Sequence, residues 1–210
     1  MSNKPSIFKR ASADGYNPVI FRIDKMRNSF YTGWSGFFAR INGSLRGVEI
    51  GPGCRFYGQP KFRRYFSSAI RIGKSCTFRS DQSSNLIGVN HQCILSTHEE
   101  NAQISIGDNC GFSGVSIGAA GTISIGNNVL CGANVTITDF DWHEDISNTR
   151  PRPVRIHDNV WLGLNCVVLK GAEIGENTII GANSLVTGSI PANVIAGGNP
   201  CRVLKQRDTK

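Results

Sequence analysis

The sequence predicts an all-β fold, a parallel β-helix in which each hexapeptide forms one side of a coil. The main observation is a six-residue period. Aliphatic residues recur at Ile156, Leu162, Val168, Ile174, Ile180 and Val186. A second series, four residues further on, consists of Val160, Cys166, Ala172, Thr178, Ser184 and Ile190. An α-helix would scatter positions six apart around its surface, whereas short strands joined by tight turns point them all inward.

Glycine supports the same interpretation, because it follows the aliphatic residue at Gly163, Gly175 and Gly181. We interpret these glycines as corners where the backbone needs a positive φ. Each coil then buries its aliphatic residues against the neighbouring coils, so chain length sets the number of coils. An ordinary β-sandwich with similar spacing is the alternative, and six consecutive repeats argue against it.

Residues 1–45 lack this period and are predicted to form an N-terminal cap. They mix basic residues with aromatic ones, as a short amphipathic helix over the open end of the solenoid would. A cap is expected because an uncovered coil would expose an apolar cross-section. Peripheral membrane contact by the same aromatic and basic residues is the alternative.

Charge is concentrated at the N-terminal end of the chain. Residues 1–80 contain 15 Lys and Arg against 3 Asp and Glu, a net charge of +12, whereas residues 81–210 have a net charge of −4. This basic end is either a solvated face or a contact for an anionic partner, such as a lipid-phosphate-linked substrate or a membrane surface. No nucleic-acid-binding motif accompanies it, so nucleic acid is not expected as a partner. No membrane span or signal peptide is apparent, and a cytoplasmic location is expected.

The hexapeptide region is predicted to span residues 46–195. Its period is faint at first, through a basic, aromatic detour at 59–68 and an irregular stretch at 79–103, and it is clear from Ile106 onward. Residues 196–210 are predicted to form a basic C-terminal tail.

The seven cysteines are predicted to be packing residues. Five of them fall at inward positions of the repeat, namely Cys54, Cys76, Cys110, Cys131 and Cys166. Their odd number and the lack of any CxxC motif argue against disulfides and a metal site. Buried cysteine then acts as a small hydrophobic residue.

A polar loop interrupts the repeat at residues 138–155. It contains His143, flanked by Asp139, Asp141, Glu144 and Asp145. Acidic neighbours orient an imidazole and stabilise its protonated form, as a general base near neutral pH requires. A polar loop inserted into a regular scaffold is a common place for function, although a single loop histidine is more often an ordinary surface residue.

Four motifs give the chain a specific resemblance. They are PVRIHDNVWLG at 153–163, GAEIGEN at 171–177, GANSLVT at 181–187 and GNPCRV at 198–203. Together they resemble the hexapeptide-repeat acetyltransferases, most of all the galactoside, maltose and capsule or exopolysaccharide O-acetyltransferases. The resemblance implies a left-handed β-helix, a homotrimer, and acetyl-CoA as the acyl-donor substrate in the groove between neighbouring subunits, with no metal.

By position in the motifs, the resemblance also implies roles for single residues. His143 matches the catalytic histidine that takes the proton from the acceptor hydroxyl as it attacks the thioester directly. The positions matching coenzyme contacts are Trp161, Leu164, Ala182, Thr187, Arg202 and Lys205. The positions expected to contact the acceptor differ from those of the sugar O-acetyltransferases, because Ser113 or Gly114 stands where an asparagine is expected. Asp139 and Asp141 could contact the acceptor or orient His143.

The sequence therefore predicts an O-acetyltransferase that acts on a hydroxyl of a sugar or glycan precursor, with a role in polysaccharide biosynthesis. An antibiotic or amino-sugar acetyltransferase and a non-catalytic β-helix scaffold are the alternatives. A zinc enzyme of the γ-carbonic anhydrase type shares the scaffold, but it needs three histidines, two of them close in sequence. His91 and His98 are seven residues apart, and His143 has no histidine nearby.

Overall fold

Three sheets of mainly parallel strands form the sides of a β-helix in the computed structural model, which describes residues 17–143 and 150–207. The first sheet contains β1 Glu49–Ile50, β4 Ala69–Ile72, β7 Gln103–Ile106, β10 Thr122–Ile125, β13 Val154–Ile156, β16 Glu173–Ile174 and β19 Ser189–Ile190. The second contains β2 Arg55–Tyr57, β5 Thr77–Arg79, β8 Gly111–Ser113, β11 Leu130–Ala133, β14 Trp161–Leu162, β17 Ile179–Ile180, β20 Val194–Gly197 and β21 Arg202–Gln206. The third contains β3 Lys61–Arg63, β6 Ile94–Thr97, β9 Ser116–Ala119, β12 Thr136–Thr138, β15 Val167–Val168 and β18 Leu185–Val186.

Successive coils stack their inward residues on one another. In the first sheet, Ile125 is in register with Ile156, and Ile156 with Ile174. Both predicted inward series, from residue 156 to residue 190, are buried, with exposed fractions of 0–7%. The prediction of an all-β parallel β-helix is thus confirmed, because six-residue spacing brings each aliphatic residue over its counterpart in the next coil.

The glycines that follow the aliphatic residues do not have the positive φ that the sequence analysis expected. Asparagine takes that conformation at the corners, with φ of 59° at Asn159 and 57° at Asn177, and its side chain tolerates the left-handed region. At Gly163 and Gly175, glycine is required instead by the close approach of the next coil, whereas a Cβ at Gly181 would meet no atom closer than 3.6 Å. A Cβ at Gly163 would lie 2.6 Å from the backbone nitrogen of Ala182, and one at Gly175 would lie 2.4 Å from that of Ala192.

Helix α1, Pro18–Leu45, covers the first coil. Asn17 caps its N-terminus by accepting a hydrogen bond from the backbone N–H of Val19. Near its C-terminus, Ala39 is fully buried, and a Cβ at Gly43 would lie 2.7 Å from Cδ1 of Ile50. The small inward residues let the helix lie close to the end of the solenoid.

Three stretches that lack a clear repeat in sequence contain regular strands or turns. The detour at 59–68 includes β3, and the irregular stretch at 79–103 includes β6 and a 3-10 helix, Gln82–Ser84. The tail forms β21, which pairs antiparallel with β20. This strand covers the backbone edge of the last coil.

All seven cysteines are free and buried. Several thiols donate to a carbonyl of the next coil, including Cys76 to Gly107 at 3.2 Å, Cys110 to Gly126 at 3.1 Å and Cys166 to Gly181 at 3.0 Å. These repeated contacts are packing interactions of the core.

Candidate active site

The loop that interrupts the repeat is closed at its base by Asp139. This residue is fully buried, and its carboxylate accepts hydrogen bonds from the backbone N–H groups of Ala120 at 2.8 Å and Gly121 at 2.9 Å. Its carbonyl accepts from the backbone N–H of Arg152 at 2.8 Å, which joins the departing and returning chains. Burial raises the pKa of Asp139, and the backbone donors oppose that rise. Both carboxylate oxygens of Asp139 therefore accept hydrogen bonds from the backbone.

Three rings hold the departing chain against the third sheet. Trp142 lies over Gly118, where a Cβ would be 2.7 Å from Cζ2 of the indole. Phe140 and Trp142 both pack against His98, with ring centroids 5.2 Å and 4.7 Å away. The residue next to His143 is thereby fixed on the solenoid wall.

His98 is the second histidine of this region. Its Nε2 atom is 2.9 Å from the hydroxyl of Ser96. Partial burial lowers the pKa of His98, and the positive charge of Arg63 lowers it further, while Glu99 opposes the shift. Burial and Arg63 therefore both favour the neutral form of the ring.

His143 is exposed and lines a cavity of about 440 Å³ between the loop and the solenoid. The other lining residues are His98, Glu99, Ala120, Phe140, Asp141, Trp142, Arg150 and Pro151. Asp141 forms an ion pair with the ammonium group of Lys170, so this carboxylate is already partnered. Glu144 and Asp145 lie outside the described residues.

The residues expected to contact the coenzyme lie further along the solenoid. Leu164 and Ala182 occupy the same corner in successive coils, where the backbone N–H of Asn183 donates to the carbonyl of Leu164 at 2.8 Å. Trp161 is 52% exposed on the second sheet. These three positions lie on the second sheet or at the corner that follows it, in the fifth and sixth coils.

The remaining predicted coenzyme contacts flank that corner. Arg202 and Lys205 are exposed on β21, in register with Gly197 and Ile195. Thr187 is exposed after β18, at the opposite edge of the third sheet. That sheet is only two or three residues wide here, so the two edges are roughly 10 Å apart.

Ser113 lies in a different cavity from His143. Its hydroxyl accepts a hydrogen bond from the side-chain amide of Asn85 at 3.1 Å. The cavity is about 540 Å³, and its lining includes Ser113 and Trp161 together with Arg55, Tyr57 and Arg79. The guanidinium of Arg79 lies 4.7 Å from the centre of the Tyr57 ring and donates to the carbonyl of Ser84 at 2.6 Å. A fixed cation thus lines the Ser113 cavity.

The sequence pattern gave no indication that His98 and Arg79 line these cavities. Both fall in or next to the stretch 79–103, where the period is lost. Apart from that pattern, the only indication in the sequence was that both side chains are polar and lie at a coil edge. The contact between residues 98 and 142 arises only in the fold. In the described ranges, no group of three or more His, Cys, Asp and Glu side chains is arranged to hold a metal ion.

Comparisons with known proteins agree with this architecture. Residues 153–188 match the family model described as bacterial transferase hexapeptide (six repeats). The match covers the regular coils that follow the loop. The chain has the left-handed parallel β-helix that the resemblance implies. A hexapeptide-repeat-containing acetyltransferase from Vibrio cholerae O1 biovar eltor, solved with acetyl coenzyme A, is similar over 81% of this chain and 76% of its own, with a TM-score of 0.52 and 21% identity.

Two curated relatives from Escherichia coli strain K12 are similar in sequence. A galactoside O-acetyltransferase is 42% identical over 90 residues, which is 40% of this chain and 44% of the relative. WbbJ, named for O-acetyl transfer in lipopolysaccharide biosynthesis, is 35% identical over 106 residues, which is 44% of this chain and 54% of the relative. The chain thus spans about half the length of the curated relatives it matches.

Proposed function

We propose that the protein transfers an acetyl group from acetyl-CoA to a hydroxyl group of a sugar or glycan precursor. The observation that carries this proposal is the position of His143. It is exposed on a loop whose base is closed by Asp139 and whose adjacent Trp142 is fixed on the solenoid wall. The similarity to O-acetyltransferases of galactosides and of lipopolysaccharide biosynthesis supports the same reaction.

In the proposed reaction, His143 acts as the general base. Its imidazole takes the proton from the acceptor hydroxyl while the oxygen attacks the thioester carbonyl carbon. A carbon–oxygen bond forms and the carbon–sulfur bond breaks, and the thiolate of coenzyme A leaves and is protonated. A base within hydrogen-bond distance contributes about 10²–10⁴ in rate, because a sugar hydroxyl is a weak nucleophile without one.

The coenzyme is proposed to lie along the corner of the last coils. Leu164 and Ala182 offer backbone groups there, Trp161 offers an exposed ring, and Thr187 a hydroxyl. Arg202 and Lys205 are both exposed at the end of this surface. Their cationic groups suit the phosphates of the adenosine end, since charge-assisted hydrogen bonds to phosphate are strong.

The acceptor is proposed to bind near Ser113. Arg55 and Arg79 line the same cavity and favour an acceptor that carries negative charge. Ser113 and His143 line separate cavities of one chain, so the proposed acceptor contact and the proposed base would meet only between two subunits. We therefore propose a homotrimer in which the Ser113 cavity of one subunit faces His143 of the next. Asp141 stays a candidate acceptor contact, and Asp139 is proposed to hold the loop.

The test is the turnover of His143→Ala, measured as release of free thiol from acetyl-CoA with a panel of hydroxyl acceptors. We expect turnover to fall by about 10²–10⁴. The matched control is His157→Ala, because His157 is also exposed but lies just after β13 of the first sheet, with its Nε2 atom 3.0 Å from Oε1 of Glu173. This control should keep full turnover.

Coenzyme binding separates loss of chemistry from loss of structure. Acetyl-CoA at 100 times its Kd should stabilise both His143→Ala and the wild-type protein by about 2.7 kcal/mol. Unchanged turnover in His143→Ala would remove this residue from the mechanism. Absence of stabilisation by acetyl-CoA in the wild type would favour a non-catalytic scaffold, and transfer only to amines would favour an amino-sugar enzyme.

A further inference from the structure

Helix α1 turns its apolar face away from the protein. Among the residues of α1 whose side chains the structure describes, the buried ones are small, namely Ser35, Ala39 and Gly43. The opposite face carries Val19, Ile20, Ile23, Met26, Phe30, Tyr31, Trp34, Phe37, Phe38, Ile41 and Leu45, each 40–80% exposed. A surface helix ordinarily packs its apolar face against the core, so this orientation is the reverse of the usual one.

Polar contacts fix the helix in this orientation. The side-chain amide of Gln59 donates to the carbonyl of Ser35 at 3.0 Å. The hydroxyl of Tyr31 donates to Asp81 at 3.0 Å, and the side-chain amide of Asn42 donates to the carbonyl of Pro60 at 3.4 Å. Rolling the helix to bury its aromatic residues would break these contacts. The apolar face is therefore a fixed feature of the surface.

The shape of this face suits a flat apolar surface better than a second helix. At 100° per residue, the exposed apolar residues cover an arc of roughly 140° along the whole helix. A coiled-coil seam is a narrower stripe with a seven-residue period. Neighbouring rings also contact each other, with 5.1 Å between the centroids of Trp34 and Phe38. Trp, Tyr and Phe on such a face are typical of helices that lie in the membrane interface.

The charge around the helix identifies the kind of membrane. Residues 17–80 contain 12 Lys and Arg against 2 Asp and Glu, a net charge of +10. Exposed basic side chains lie at the end of the helix and on the first two coils, at Arg46, Arg55, Lys61, Arg63 and Lys74. In the part of the chain that the structure describes, no helix has the length and apolarity to cross a bilayer. The charge and the one-sided apolar face together fit a helix that lies on an anionic bilayer.

We propose that α1 docks the protein onto an anionic membrane surface, with the first coil of the solenoid nearest the lipid. In the proposed homotrimer, three parallel solenoids would present this face at the same end. The docking itself requires only one chain and no substrate.

Docking also has a consequence for the acceptor, and this step rests on the proposed function. The loop that carries His143 leaves the fourth coil, three coil steps from the first, which is about 15 Å at the usual strand spacing. The helix adds about 10 Å. The reactive site then lies roughly 25 Å from the lipid. This distance suits a glycan precursor that is linked to a membrane lipid through phosphate. Arg55 and Arg79 lie on the coils between the membrane and that site.

The experiment is flotation of the protein with vesicles, without acetyl-CoA or acceptor. We expect the wild type to float with phosphatidylcholine vesicles that contain about one quarter phosphatidylglycerol, and to float poorly with phosphatidylcholine alone or at high salt. Phe30→Ser with Trp34→Ser and Phe37→Ser should weaken the partitioning by about tenfold or more, because three exposed rings are lost from the interface. The matched control is Leu86→Ser with Ile87→Ser and Leu204→Ser, which removes three equally exposed apolar residues elsewhere.

Each outcome decides the proposal. Wild-type protein that fails to float with the anionic vesicles, or a helix variant that floats as well as the control, overturns it. Sedimentation equilibrium without vesicles provides the second measurement. A helix variant that has a smaller mass than the wild type would assign the face to contacts between copies of the chain and overturn membrane docking. Because no substrate is present, failure here is distinguishable from failure of the acetyl-transfer proposal, which is read from thiol release.

Discussion

The indole of Trp142 lies directly on Gly118, so that a methyl group at Gly118 would be 2.7 Å from Cζ2 of the ring. Gly118→Ala should therefore displace Trp142 and move His143, its neighbour in the chain. Because small misplacements of catalytic groups are costly, we expect turnover to fall by about 10–100-fold. The measurement is kcat for thiol release, together with unfolding in denaturant.

The fold should tolerate this substitution. Gly118 lies on a strand, where replacing glycine by alanine changes the free energy of unfolding by no more than about 1 kcal/mol. The control is Gly33→Ala on α1, where a Cβ meets no atom within 4 Å, and full turnover is expected. Normal turnover of Gly118→Ala would mean that the contact between Trp142 and the third sheet does not position the base.

His98 makes the stability of the protein depend on pH. Burial and Arg63 lower its pKa, so the neutral ring is favoured in the folded protein. Above pH about 6.5, the usual value of histidine, both folded and unfolded forms are neutral and this contribution is complete. As the pH falls below that value, the unfolded chain binds the proton first and the folded protein loses stability.

The measurement is the difference in unfolding free energy between the wild type and His98→Phe across pH 5 to 8. The phenyl ring keeps the packing against Phe140 and Trp142 but does not titrate. We expect the difference to be constant above about pH 6.5, with the wild type losing stability relative to the variant below it. A difference that is flat throughout would show that His98 is not desolvated by the loop.

Asp139 is expected to stabilise the base of the loop. Asp139→Ala leaves the backbone N–H groups of Ala120 and Gly121 without their acceptor, which costs about 1–3 kcal/mol. The control is Asp141→Ala, which removes only an exposed ion pair with Lys170 and should change the unfolding free energy by less than about 1 kcal/mol. Equal effects in denaturant unfolding would contradict the anchoring role of Asp139.

The six-residue period predicted the inward residues because each coil repeats the same environment. Ile156 and Ile174 are predictable for that reason, as each contacts the residue at the same position one coil away. The period could not distinguish a corner that needs a positive φ from one that needs close packing. Asn159 takes the first role and Gly163 the second, and the distinction depends on how near the next coil approaches.

The site is less predictable because its contacts join distant segments of the chain. His143 could be singled out by the loop around it, whereas His98 acquires its role from Phe140 and Trp142, more than forty residues away. The burial of Asp139 could not be predicted from the sequence either. Its acidic neighbours suggest a solvent-facing cluster, but only the fold brings its carboxylate to the N–H groups of Ala120 and Gly121.

Arg202 and Lys205 provide a test of where the adenosine phosphates bind. Replacing both by alanine should raise the KM for acetyl-CoA by about a hundredfold or more, since each charge-assisted hydrogen bond contributes about 1.5–3 kcal/mol. The KM for S-acetylpantetheine should stay unchanged, because this fragment lacks those phosphates. The control is Arg155→Ala, an equally exposed arginine on the first sheet. An equal rise in the KM for acetyl-CoA and for S-acetylpantetheine would mean that the two residues act through the structure of β21. The phosphate assignment would then fail.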